Sequence, residues 1–172
     1  IRKGVAFLKS EQEEDGSWFG RWGTNYVYGT WSVLCALNAA GENMKAPYIQ
    51  RAVEWLRDRQ SDDGGWGEDG ATYWEEKRET VKASTASQTA WAVLALMAVG
   101  ETESEAVERG IKYLLKAPRD GSNWEEPWYT AVGFPKVFYL KYHGYSVYFP
   151  LWALARFRNL KKGNTGRVPH GI

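Results

Sequence analysis

A layout that occurs three times constrains the fold of this chain more than any other sequence feature. Each copy has a basic residue followed by a small one, an aromatic–Leu pair three and four positions after the small residue, and a Trp fourteen positions after it. The copies are Lys3–Trp18, Arg51–Trp66 and Arg109–Trp124. A spacing that returns about every fifty to sixty residues is typical of repeat architectures, in which neighbouring units share one core.

Two kinds of helix alternate along these repeats. Ile49, Val53 and Leu56 stand at helical spacing and predict an amphipathic helix that buries one stripe. Other segments are apolar nearly all round and stop at Gly41 or Gly100, as buried helices do. We predict amphipathic helices near residues 2–9, 48–59 and 103–116. We predict apolar helices near residues 28–40, 88–99 and 149–157.

This alternation predicts an all-α fold, a two-layer α/α toroid in which outer helices face water and inner helices line an axis. Three helix pairs form only an arc, and a closed ring would need about twice as many. We therefore expect an apolar edge that requires a partner.

Aromatic residues are the compositional anomaly, with 10 Trp and 10 Tyr in 172 residues. Such side chains normally serve cores and interfaces, so the excess indicates a need for π-surface. Lys and Arg total 22 against 21 Asp and Glu, and this balance excludes a nucleic-acid partner recognised through charge. A single Cys excludes a disulfide framework and indicates a reducing compartment.

The repeat resembles the QW motif of triterpene cyclases, in which a Gln precedes a terminal Gly-x-Trp. The first two copies carry Gln12 and Gln60, whereas the third has Pro118 at that position, which puts its ability to join outer helices in question. Longer segments are more specific. DGSWFGRWGTNYVYGTW, STASQTAWAVLAL and GFPKVFYLKYHGY resemble the C-terminal region of squalene–hopene cyclases more than that of oxidosqualene cyclases.

The resemblance implies that residues 1–172 are the C-terminal part of a longer α/α barrel domain, with a frayed tail at 161–172. It implies an isomerase that cyclises squalene to hopene or hopanol through a cascade of carbocations, with no cofactor and no metal. The family's proton donor belongs to a DxDD motif, which this sequence lacks. We therefore expect the segment to be inactive alone.

Four aromatic residues of the third family-specific segment are candidates for the cavity wall. Phe134, Phe138, Tyr142 and Tyr145 stand at i, i+4, i+8 and i+11, which would place them on one face of a helix. An aromatic stripe is more often simple core packing. The resemblance instead implies cation stabilisation by Phe134 and Phe138, and substrate binding by Tyr142 and Tyr145.

Trp22 and Tyr28 match two further cavity positions of the family. The resemblance implies cation stabilisation by Trp22, and for Tyr28 a hydrogen bond toward the water and acid network that starts the reaction. Loop packing for Trp22 and a structural hydroxyl for Tyr28 remain alternatives.

The acidic pairs Asp62-Asp63 and Glu68-Asp69 flank a Gly-Gly-Trp turn, so we interpret them as solvated turn residues rather than an acid dyad. His143 and His170 are isolated in the sequence and are not candidates.

Squalene and the N-terminal part of the same enzyme are the expected partners. The resemblance also implies a cytoplasmic enzyme that lies peripherally on the inner face of the cell membrane, and a homodimer is left open. Two other functions compete with this one: a stand-alone helical module that binds isoprenoids or a partner protein, and a carbohydrate-active toroid. The second would need carboxylates aimed into its cavity, which the apolar segments do not supply.

Overall fold

The computed structural model describes residues 1–80 and 82–163. Its helices are α1 (Arg2–Ser10), α2 (Tyr26–Ala39), α3 (Pro47–Asp58), α4 (Ala86–Ala98), α5 (Glu105–Lys116) and α6 (Tyr145–Lys161), with short 3-10 helices at Gly70–Tyr73 and Glu75–Lys77. Its strands form two antiparallel hairpins, β1 (Arg119–Asp120) with β2 (Asn123–Trp124) and β3 (Ala131–Phe134) with β4 (Phe138–Leu140).

The predicted helical fold is confirmed, with the small hairpins as an addition. Each predicted helix is present, and most boundaries agree to within about two residues. The helix predicted at 149–157 begins earlier, at Tyr145, and continues to Lys161, so the predicted frayed tail is helical at its first residue. Residues 164–172 of that tail, including His170, lie outside the described residues.

The inner layer is centred on α4, in which every residue from Ala86 to Ala98 is buried. This helix packs against α2, α5 and α6. Apart from Gln88, its side chains are apolar or small on all sides, which suits a helix surrounded by others.

The outer helices α3 and α5 bury one stripe each, as their periodicity predicts. In α3 the stripe includes Ile49, Val53 and Leu56, and α5 buries Val107 and Leu114 in the same way. Outer α1 is less covered, and none of its residues is fully buried.

The Trp that ends each repeat donates a hydrogen bond to the C-terminal part of the helix with which the repeat begins. The indole Nε1–H of Trp18 donates to Leu8 O at 2.7 Å, and that of Trp66 donates to Leu56 O at 2.7 Å. In the third repeat Trp124 Nε1–H donates to Leu114 O at 2.9 Å. These bonds satisfy carbonyl groups in the last turns of the helices, which have no partner within the helix.

The glutamines of the first two repeats join successive outer helices. Gln60 Nε2 donates to Gly64 O at 2.8 Å and to Ala106 O, at the start of α5, at 2.9 Å. Gln12 Nε2 makes the equivalent bonds to Gly16 O and to Tyr48 O in α3. Proline has no side-chain donor, so the third repeat cannot make this link through Pro118.

None of the helices within the described ranges is long and apolar enough to cross a membrane.

Candidate active-site surface at the ends of the inner helices

Phe134 and Phe138 lie on the paired strands of the β3–β4 hairpin, so the helix predicted from their spacing is wrong. The turn between them contains Pro135 and places Lys136 at a φ of 68°. A Cβ atom added to Gly133 would lie 2.0 Å from the Phe138 ring. The glycine thus leaves room for the Phe138 ring of β4 to lie over the neighbouring strand β3.

The hairpin is bonded to the loop that precedes α2. Val132 N–H donates to Trp22 O at 3.0 Å, and Thr24 N–H donates to Thr130 O at 2.9 Å. Trp22 is therefore fixed beside the hairpin through its backbone. The guanidinium of Arg21 lies over its indole, 5.2 Å from the ring centroid.

Tyr28, Tyr142 and Tyr145 join a second aromatic group at the starts of α2 and α6. The ring centroids of Tyr142 and Tyr145 are 5.2 Å apart. Tyr28 and Tyr145 both make edge contacts to Trp91 of α4, with centroid distances of 5.0 and 5.7 Å. The structure thus brings together residues that are far apart in sequence.

Most of the candidate residues are exposed in this chain. The exposed fraction is 56% for Trp22, 53% for Phe134, 43% for Phe138 and 52% for Tyr142. Core packing within the described residues therefore does not account for these rings. We call the six candidate residues the aromatic surface.

Three aromatic residues that were not predicted as site residues support this surface. Trp31 stacks on Trp91 at a centroid distance of 6.0 Å, and Phe149 contacts both rings edge to face. Trp31 stands three residues after Tyr28, so helical spacing could have placed the two on one face. Nothing in the sequence alone indicates that α4 and α6 add Trp91 and Phe149 to the group.

Two tyrosine hydroxyls of this surface, those of Tyr28 and Tyr145, have a raised pKa. Burial raises the pKa of Tyr28, and burial together with the nearby Tyr28 and Tyr142 raises the pKa of Tyr145. Both hydroxyls therefore stay protonated at neutral pH, where they can donate or accept a hydrogen bond without carrying charge.

The deciding comparison is with families of known proteins. A family model described as the squalene-hopene cyclase C-terminal domain matches residues 1–159. The chain belongs to this family. The predicted resemblance is thereby confirmed over nearly the whole sequence.

Full-length relatives agree with the family model. A probable squalene–hopene cyclase of Sinorhizobium fredii is 58% identical over 165 residues, which are 95% of this chain and 26% of the relative. A squalene–hopene cyclase of Bradyrhizobium diazoefficiens is 54% identical over 173 residues, which are 100% of this chain and 26% of the relative. The chain thus spans 26% of the length of these relatives.

A solved structure supports the fold independently. The crystal structure of a protein from Actinoplanes superimposes with a TM-score of 0.52, covering 72% of this chain and 35% of that chain. Its sequence identity is 20%, so the likeness concerns the fold alone.

One acidic residue of this cyclase domain does not lie where the sequence predicts. Asp62 and Asp63 are exposed, as expected of turn residues. Glu68 is only 5% exposed, and its Oε1 accepts hydrogen bonds from the backbone N–H groups of Asn25 and Val27. The prediction that Glu68 is solvated is wrong, because the start of α2, more than forty residues earlier, covers it. Burial raises the pKa of Glu68, against the opposing effect of these N–H donors.

The described part of this cyclase domain contains no group of three or more His, Cys, Asp or Glu side chains that could hold a metal ion. His143 is exposed, and its backbone carbonyl accepts a bond from Ser146 Oγ.

Proposed function

We propose that this chain is part of a triterpene cyclase that converts squalene to hopene or hopanol, and that it contributes the aromatic wall of the cavity. The observation that carries the proposal is the exposed aromatic surface at the ends of the inner helices, in a chain whose relatives are named squalene–hopene cyclases. In this proposal residues 1–172 are the C-terminal part of an α/α barrel domain of the longer enzyme.

Phe134 and Phe138 stabilise carbocations formed late in the cascade, and Trp22 does so from the neighbouring loop. An aromatic face attracts a cation by about 0.5–2 kcal/mol, or more when water is excluded, and it neither adds to the cation nor removes its proton. The edge-to-face arrangement of Phe134 and Phe138, at 5.6 Å, supports this role because it leaves ring surface open to a substrate.

Tyr142 and Tyr145 line the cavity beside the substrate, and Tyr28 hydrogen-bonds toward the network that protonates squalene. Their support is the contact chain from Tyr142 through Tyr145 and Trp91 to Tyr28. Raised pKa values keep the Tyr28 and Tyr145 hydroxyls protonated, so neither is present as a phenolate that would take a proton from the cation and end the cascade early.

The expected partners are squalene and the N-terminal part of the same enzyme. Because squalene is too apolar to travel through water, the full enzyme works at a membrane surface, which we place at the inner face of the cell membrane. The same proposal allows a homodimer. Sedimentation of the full-length protein with vesicles tests its association with membranes. Its molar mass in solution tests whether it is a dimer.

The function is tested by incubating squalene with a full-length cyclase that contains this segment, and separately with the segment alone. Gas chromatography should detect hopene or hopanol only from the full-length protein, since the sequence of the segment lacks the DxDD motif that the family uses as acid. Absence of any cyclised product from the full-length protein would contradict the proposed function. Hopene from the segment alone would contradict its dependence on the rest of the enzyme.

A further inference from the structure

Two glutamates occupy equivalent positions in successive repeats, each two residues after the Trp that ends the repeat. Glu68 follows Trp66, and Glu126 follows Trp124. Each carboxyl group reaches the N-terminus of the inner helix that precedes it in the chain, α2 for Glu68 and α4 for Glu126. The position and its contact recur in the second and third repeats, whereas the first repeat has Gly20 there, which indicates a shared function of these two glutamates.

Glu68 takes the place of a side-chain cap at α2. The N-cap residue Asn25 makes no capping bond with its own side chain. Instead Glu68 Oε1 accepts bonds from Asn25 N–H at 2.8 Å and Val27 N–H at 2.6 Å. Gln88 Nε2 holds the backbone in place by donating to Glu68 O at 2.6 Å and to Thr24 O at 2.9 Å.

Glu126 makes the corresponding contact at α4. Its carboxylate accepts a bond from Ser87 N–H at 2.7 Å, although Thr85 already provides an N-cap side chain. Ser87 Oγ also lies 3.1 Å from Thr130 Oγ1, in the residue that precedes β3. The capped end of α4 is thus joined to the hairpin that carries Phe134.

Both capped helix ends are linked to the segments that carry the aromatic surface. Val27 is adjacent to Tyr28 in the sequence, and Tyr139 of β4 donates through its hydroxyl to Gly70 O, two residues after Glu68, at 3.1 Å. A helix N-terminus carries about half a positive elementary charge. Two such ends would repel a carbocation near them, and a carboxylate at each helix end offsets the positive charge of that end.

We propose that Glu68 and Glu126 are positioning residues that neutralise the positive ends of α2 and α4, and so make the aromatic surface favourable for a cation. The inference rests on the proposed cyclase function. The hydrogen-bond partners given above for both carboxyl groups are donors, which suits the ionised form. Burial raises the pKa of both Glu68 and Glu126, while these donors, with Arg59 near Glu68 and Lys141 near Glu126, act against burial in favour of the ionised form.

The test separates charge from shape. Binding to the full-length protein is measured for the dodecyltrimethylammonium ion and for its uncharged isostere, in which a quaternary carbon replaces the nitrogen. Glu68→Gln and Glu126→Gln keep the acceptor oxygen and remove the charge. Glu76→Gln makes the same change at an exposed residue of the same loop and serves as the control.

We expect each of the two variants to bind the ammonium ion about tenfold more weakly, because each loses the attraction between the positive charge of the ligand and one carboxylate. The affinity of each variant for the uncharged isostere should stay within about twofold of that of the unsubstituted protein. In Glu76→Gln the affinities for the ammonium ion and for the isostere should both stay within the same limit. Equal losses for both ligands, with a lowered melting temperature, would make these glutamates helix caps only and overturn the proposal. No loss for either ligand would overturn it as well.

Turnover gives a second measurement. If the full-length protein cyclises squalene, both variants should lower kcat about tenfold with little change in KM, since neutral squalene does not sense the charge. An unchanged kcat would overturn the proposal. If the unsubstituted protein makes no cyclised product, the proposed function fails, whereas the difference between the ammonium ion and its isostere still decides the role of the glutamates.

Discussion

Phe134 and Phe138 meet edge to face across the β3–β4 hairpin, with ring centroids 5.6 Å apart and an angle of 63° between the ring planes. Neither ring is buried by the described residues, so the pair is maintained by the hairpin rather than by a surrounding core. In the proposed enzyme, this pair is the part of the wall best placed to interact with a cation.

The first prediction is that Phe138→Ala changes which products the full-length cyclase releases. Loss of a cation–π contact of about 1–2 kcal/mol corresponds to a roughly five- to thirty-fold change in partitioning at the intermediate it stabilises. Partly cyclised alkenes should therefore accumulate, as measured by gas chromatography. Phe138→Tyr keeps the ring and should restore much of the normal product.

The control for this prediction is Phe7→Ala, because Phe7 is 60% exposed on outer helix α1. It should leave the product ratios unchanged. Removing a buried Phe costs about 3–5 kcal/mol, whereas Phe138 is too exposed for such a loss. A large drop in melting temperature with unchanged product ratios would show that Phe138 serves packing alone.

The hairpin also shows where sequence patterns mislead. Residues four apart lie on one face of a helix, but the strands of a short hairpin can bring the same residues together. The spacing of Phe134 and Phe138 therefore fitted both structures. Gly133 and Pro135, which disfavour a helix, were the local signal for the hairpin.

A second prediction uses the glycine beneath the Phe138 ring. Gly133→Ala places a methyl group where the ring lies, because the added Cβ would be 2.0 Å from a ring carbon. The ring must move, so product ratios should shift in the same direction as in Phe138→Ala while the ring itself is retained. Gly4→Ala is the control, since its Cβ would have no neighbour within 4 Å. Normal product ratios in Gly133→Ala would argue against a fixed ring position.

A third prediction concerns the link between outer helices. Gln60→Glu preserves shape but replaces the donor that binds Gly64 O and Ala106 O with an acceptor. Loss of two partly buried bonds should destabilise the protein by about 1–3 kcal/mol and lower its melting temperature. Gln50→Glu removes a single bond, to Met44 O, and should have a smaller effect. Equal melting temperatures for the two variants would contradict this role.

The helices could be predicted because their sequence signals are local. The burial of Glu68 could not be predicted, because it depends on residues distant in the sequence. Periodicity fixes which face of α3 is buried, and a Trp ends each repeat, preceded by a Gln in the first two. The surroundings of Glu68 in sequence, with several glycines and the acidic residues Asp62, Asp63 and Asp69, are those of an exposed turn. Its burial depends on the loop before α2, and a single sequence carries no direct signal of that contact.

The last prediction is a pH dependence that follows from this burial. Burial raises the pKa of Glu68 above its value of about 4.3 in an unfolded chain. Between the pKa of Glu68 in the unfolded chain and its raised pKa in the folded protein, the folded protein holds a proton that the unfolded chain has released. The free energy of unfolding therefore falls as the pH rises through this window and levels off above it.

The glutamine in Glu68→Gln cannot ionise, so this variant should lose the part of the pH-dependent fall in stability that comes from Glu68. Melting curves recorded from about pH 4 to pH 8 would detect the difference. Glu76→Gln, at an exposed residue, should leave the profile unchanged. The plots of melting temperature against pH for the unsubstituted protein and Glu68→Gln should become parallel once Glu68 is ionised. The proposed electrostatic role of Glu68 requires that this pH lie below the pH of the activity assay. A difference that persists unchanged over the whole range would show that Glu68 does not titrate there.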